Sequence, residues 1–138
     1  MSRYDNILKY IDLLKDDSVG KWHFDEEHKG TEDDPIHMAY VQYTQIVREF
    51  IGEIFKFHEN NPDFELANYK SILAKRGIKK VNNPDVSDMD AQGVMALLMS
   101  IARGERFCDG LILVYIKNGT VMKWLLRLKE IRDLEEKV

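Results

Sequence analysis

From Ile46 to Phe57 apolar residues recur in steps of three and four: Ile46, Val47, Phe50, Ile51, Ile54, Phe55 and Phe57. At ~3.6 residues per turn this spacing gathers them along one side of an α-helix, with Arg48, Glu49, Glu53 and Lys56 facing away. So wide an apolar stripe has to be buried against other elements, so the rest of the chain must build a core around it. Thr44 stands where an N-cap belongs, and Asn60-Asn61-Pro62 stops the helix.

The other segments repeat the pattern. Tyr4, Ile7, Leu8, Ile11 and Leu14 keep helical spacing, with Ser2 and Asp5 placed for a cap and Asp5–Lys9 placed for an ion pair. A third helix is expected from about Phe64 to Arg76, with Leu66, Tyr69, Ile72 and Leu73 inward and Gly77 just past its end. Ser87 with Asp90 resembles a capping box for a fourth, roughly Asp88 to Arg103, whose centre is apolar all round. Val121, Trp124, Leu125, Leu128, Ile131 and Leu134 mark a last one. Leu111 to Ile116 has β-branched character and runs into Asn118-Gly119, which fits either a hairpin turn or a helix end. No alternating strand follows Gly119, so helix–turn–helix is the expected form and a short hairpin the alternative. Residues 17–43 lack a period and hold Trp22, Phe24, Tyr40 and Tyr43.

Glycine and proline support this reading. The 8 glycines and 3 prolines make 11 of 138 residues, about 8% against roughly 12% in average usage. Sandwiches and small barrels need a turn every ~8–12 residues and use both freely. The expected architecture is therefore mostly α: a single-domain bundle of five or six helices over residues 1–138, with an irregular aromatic-rich segment near 17–43.

Several function classes are disfavoured. With 44% hydrophobic residues and a net charge of −4, the chain lacks the composition of a disordered segment and the basic excess of a dedicated nucleic-acid binder. Cys108 is the one cysteine, so no internal disulfide or CxxC knuckle exists, which suits a reducing, cytoplasmic setting. Lys9 and Asp12 interrupt the N-terminal apolar residues as no secretion signal would, and no apolar run approaches the ~20 residues a membrane span requires.

Three groups of residues are candidates for chemistry. His23, His28 and His37 lie among the acids of residues 25–34, a ligand set known to hold zinc or manganese. Their spacing matches no metal motif, so a solvated acidic loop is expected, with no metal and no cofactor. Lys70, Lys75, Arg76, Lys79 and Lys80 form a basic segment without an acid, but with only Tyr69 nearby for stacking it is expected to be a solvated face rather than a weak nucleic-acid site. Arg103 and Arg106 have the guanidinium fork that suits a phosphate or carboxylate, against the commoner alternative of pairing with Glu105, Asp109 or the acidic loop. Cys108 lies between them and Gly110 and is expected to be a packed core cysteine rather than a nucleophile. Tyr4, Tyr10, Trp22, Phe24, Tyr40, Tyr43 and Trp124 are expected to close the core rather than line a pocket for a flat ligand.

Arg106-Phe107-Cys108-Asp109-Gly110, followed by Asn118-Gly119 and Leu125-Leu126-Arg127-Leu128, resembles a bacterial family of small domains of unknown function with an R-F-C-[DE]-G motif. Ile7 to Ile11 and the Pro35, Tyr40, Tyr43 segment are similar to that family's N-terminal half, so the likeness covers roughly the first 55 and last 35 residues. It directs attention to Arg106 through Gly110 but implies no activity. The expected function is a non-catalytic interaction or ligand-binding module. Its candidate contacts are Arg103, Arg106, Phe107, Cys108, Asp109, Gly110, His37, Tyr40, Tyr43 and Trp22. A homodimer through the C-terminal stripe of Val121, Trp124, Leu128 and Ile131 is its expected assembly. The rival expectation is a small enzyme on a phosphorylated or nucleotide-like ligand, using Arg103, Arg106 and the His-bearing loop in one polar concavity.

Overall fold

The computed structural model describes residues 2–15, 20–23, 40–78 and 84–137. At the start, Ser2 Oγ accepts from the Tyr4 amide at 3.2 Å and the Asp5 carboxylate accepts from the Ser2 amide at 3.0 Å, closing the turn before the first helix; the N-cap position is Tyr4 rather than Ser2. Helices α1 (Asp5–Leu8) and α2 (Tyr10–Leu13) follow, separated by Lys9, which keeps helical dihedrals. Counted as one segment they bring the number of helical segments among the described residues to six. Tyr4, Ile7, Leu8, Tyr10 and Leu14 are buried. The expected Asp5–Lys9 pair does not form: Asp5 takes Arg132 at 3.3 Å, and the Lys9 ammonium lies over the Tyr10 ring at 5.4 Å.

The wide stripe forms helix α3 (Gln45–Asn60), burying Val47, Phe50, Ile54 and Phe57. Its rings meet those of the first segment, Tyr10 against Phe50 at 5.1 Å and Tyr4 stacked on Phe57 at 5.9 Å. Helix α4 is shorter than its apolar spacing predicts, Tyr69–Lys75. Phe64 and Leu66 pack from irregular chain instead: the Phe64 ring meets Phe57 edge-on at 5.0 Å, and Leu66 is buried. Gly77 ends α4 in the left-handed region at φ 76, where the Ile78 amide reaches the Leu73 carbonyl at 3.0 Å and the Gly77 amide the Ala74 carbonyl at 3.1 Å. That pair of bonds is a Schellman end, which needs a residue tolerant of positive φ.

Helix α5 (Ala91–Gly104) is the central element, buried from Gly93 through Met99, and it packs on α3, α4 and the two helices that follow it. Its cap is Asp90 itself, which accepts from the Gly93 amide at 3.1 Å, whereas Ser87 bonds Asp85. Arg76 clamps the same Asp90 carboxylate with two bonds of 2.8 and 2.7 Å, holding that carboxyl below its usual range; the Gly93 amide adds to this. A depressed carboxylate stabilises the fold above its unfolded pKa and loses that contribution as pH falls through the folded value. Thermal melts from pH 6 down to pH 2.5 should therefore show Asp90→Asn less stable than the parent at pH 6, with the difference closing below about pH 4. A constant gap across that range would contradict the assignment.

Helix α6 (Leu111–Lys117) and helix α7 (Thr120–Glu136) complete the chain. The hairpin alternative at Asn118-Gly119 is thereby overturned. Gly119 takes φ 85 after a helix, and Asn118 Oδ1 accepts from the Thr120 amide at 2.9 Å to start the next one. Val121, Trp124 and Leu128 are buried in the chain's own core, with Ile131 packed against it, so a second copy on α7 would meet the exposed Leu126 and Leu134. Arg127 pins α7 to the stretch before α5, donating to the Met89 carbonyl at 2.9 Å.

The stretch expected to be irregular has paired ends. Strand β1 (Gly20–His23) lies antiparallel to strand β2 (Tyr40–Tyr43), in register from Gly20 opposite Tyr43 to His23 opposite Tyr40. Gly20 is required by close approach: a Cβ there would sit 2.9 Å from the Tyr43 ring and 3.1 Å from the Gln42 carbonyl. Among the described residues no helix is long and apolar enough to cross a membrane.

Candidate functional site

The residues from Glu105 to Gly110 form the turn between α5 and α6. Its organising group is one that the sequence reading treated only as a counter-ion. Glu105 Oε2 accepts from the Gly110 amide at 2.9 Å, and Oε1 accepts from the Ile112 amide at 2.9 Å and from the Tyr43 hydroxyl at 2.6 Å. A helix start leaves amides without partners, and Gly110, the N-cap of α6, has no side chain to offer them. The Glu105 carboxylate serves instead and also complements the positive end of the helix. Gly110 adopts φ 89, so the turn requires glycine here.

Tyr43 completes the tie. Its hydroxyl donates to Glu105 and accepts from the Leu113 amide at 3.1 Å, joining β2 to the first turn of α6. Burial, and then the hydrogen bond to a carboxylate, push the Tyr43 phenol well above its ordinary range. Asp109 makes a second tie, accepting from the Val41 amide at 2.9 Å. That amide belongs to an end strand of a two-stranded sheet, and the carboxylate covers a donor that another chain would otherwise pair with.

The motif residues thus separate by role. Gly110 and Asp109, with Glu105 and Tyr43, fix the turn and fasten the strand pair to it. Cys108 is exposed rather than packed, because the turn projects it outward while its amide bonds the Gly104 carbonyl at 2.9 Å. Phe107 is 91% exposed, and the Arg106 guanidinium lies over the Phe55 ring at 5.7 Å. Arg103, one turn earlier on α5, lies over the Tyr69 ring at 5.9 Å. The expected pairing of the two arginines with Glu105 or Asp109 is not formed, since both carboxylates are held by β2 and the start of α6.

Trp22 and Tyr40 occupy the strand pair, Trp22 opposite Val41 and Tyr40 opposite His23. His37, His28, Phe24, Lys79, Lys80 and the acids of residues 25–34 lie outside the described residues. In the basic segment Arg76 is paired with Asp90, while Lys70 and Lys75 are exposed on α4. Tyr4, Tyr10 and Trp124 belong to the core. Clefts form at a distance from the turn: one is lined by Arg76, Asp85, Ser87 and Asp90, another by Val86, Lys123, Leu126 and Arg127. Glu105 had one visible signal in the sequence, a carboxylate just ahead of a helix that begins with glycine.

The protein family described as "Family of unknown function (DUF6508)" matches residues 1–134, and the chain belongs to it. The match includes the middle of the chain, which the likeness of the two ends had left out. No curated protein and no solved structure matches the chain.

Proposed function

We propose that this member of a family without an assigned activity is a non-catalytic binding module that engages a protein partner through the turn of residues 105–110. The observation that carries the reading is Phe107, a large apolar ring 91% exposed on a turn in which Glu105, Asp109 and Gly110 are held by hydrogen bonds. Burying such a ring stabilises a contact by roughly 2 kcal/mol, and a turn already rigid loses little freedom on binding. Arg106 beside it adds the residue type most often found with aromatics at interfaces. A lone exposed thiol at Cys108 suits a reducing cytoplasm, where it stays reduced.

The test is selection of phage-displayed peptides on the purified chain and on Phe107→Ser. The substitution should leave thermal stability within about 0.5 kcal/mol, because the ring packs on little. The parent should enrich a family of sequences and the variant should not. Equal enrichment on both, or none on either, would overturn the reading.

A further inference from the structure

We infer that Arg103 is the centre of an oxyanion site that takes a phosphate or carboxylate group, with Arg106 as its second positive charge. The inference goes beyond the partner contact through Phe107 and stands without it. Three described arginines are half-buried: Arg103, Arg127 and Arg132. Arg127 pairs with Glu130 at 3.1 Å, and Arg132 with Asp133 at 3.0 Å and Asp5 at 3.3 Å. Arg103 has no carboxylate among the described residues, and its Nε is fully buried without a hydrogen-bond acceptor. A guanidinium that has lost part of its hydration and gained no counter-ion is costly to the fold, and an anion repays that cost.

The neighbouring acids do not compete for that anion. The two nearest acids in sequence are turned away, Glu105 onto Gly110, Ile112 and Tyr43, and Asp109 onto Val41. The Arg103 guanidinium carbon lies over the Tyr69 ring at 5.9 Å, a contact that occupies none of its N–H donors. Nε is closed off and the terminal nitrogens are not, so the anion is held end-on by the Nη groups. Arg106 follows three residues on, in the turn, bonded by its amide to the Arg103 carbonyl at 3.2 Å, and it too has no ion pair among the described residues.

The test is titration of the purified full chain with inorganic phosphate at constant ionic strength, followed by the Arg103 Nε–H resonance in nitrogen-15 spectra and by calorimetry. Saturable displacement of that resonance is expected. Arg103→Gln should weaken binding about tenfold or more, and Arg106→Gln several-fold. Arg103→Met keeps the stem on Tyr69 and should match Arg103→Gln if the guanidinium, not packing, is responsible. Phe107→Ser should bind as the parent does, which separates this site from the partner contact. A parallel series with acetate decides the source: saturation by phosphate alone assigns a phosphoryl group, by acetate a carboxylate. Drift without saturation in both series, or unchanged affinity in Arg103→Gln, would overturn the inference.

Discussion

Replacing Glu105 by alanine should cost about 3 kcal/mol of stability, roughly 10 °C in Tm for a chain this long, although the residue lies in no helix core. The reason is the number of groups it serves. Its two oxygens accept from the Gly110 amide, the Ile112 amide and the Tyr43 hydroxyl. Removing one acceptor of this kind strands three donors, and each buried donor without a partner costs about 1–3 kcal/mol before water relieves part of it. The loss should also be local. Amide exchange at Val41, Leu113 and the first turn of α6 should speed up before that of α5, and the Tyr43 phenol should titrate closer to its ordinary range. Glu105→Gln is informative because its amide nitrogen would face a backbone donor, so it should fall well short of the parent. A loss below about 1 kcal/mol in Glu105→Ala would mean that water replaces the carboxylate freely and that the turn is fixed by other contacts.

Trp124→Ala should be the most damaging single change, about 3–5 kcal/mol. The indole is 0% exposed and packs at 6.0 Å, tilted, against Tyr115 of α6. Total stability of a domain is about 5–15 kcal/mol, so this variant approaches the limit of folding. Urea unfolding should show a lower midpoint with an unchanged slope, because the native state stays compact when the cavity forms. The chain has 2 tryptophans, so the variant leaves Trp22 on β1 as the sole indole reporter. Loss under about 1.5 kcal/mol would show that neighbouring side chains collapse into the space.

What was legible in the sequence is what is decided within a turn or two of chain. The α3 stripe, the Gly77 end and the apolar centre of α5 are set by local spacing and local dihedrals, so they read correctly. Asn118-Gly119 was ambiguous for a local reason: a positive-φ residue serves a hairpin and a helix end equally. The misreadings share a different cause. Tyr43 reaches Glu105 across 62 positions and Asp5 reaches Arg132 across 127, and nothing in either neighbourhood encodes the partner. The strands β1 and β2 are four residues each, too short for alternation to show. The expected Arg–Glu pairing failed by the same logic, since a neighbour in sequence was competing with partners brought in by the fold. Cys108 was expected inside because free cysteines are usually buried, yet a turn that must carry Gly110 at positive φ carries its neighbours outward with it.

The contact of Asp5 with Arg132, together with the packing of α1 and α2 on α7, sets an order of assembly. On a ribosome the first helical segment emerges long before α7, on the order of ten seconds at ordinary rates of synthesis. During that interval Tyr4, Ile7 and Leu8 have part of their packing but not the surface that α7 supplies. Closing so long a loop adds little to the equilibrium cost, because that term grows only with the logarithm of length, but it slows the search. The first helical segment is therefore among the last to lock, and the nascent chain carries an incompletely covered apolar edge until α7 arrives.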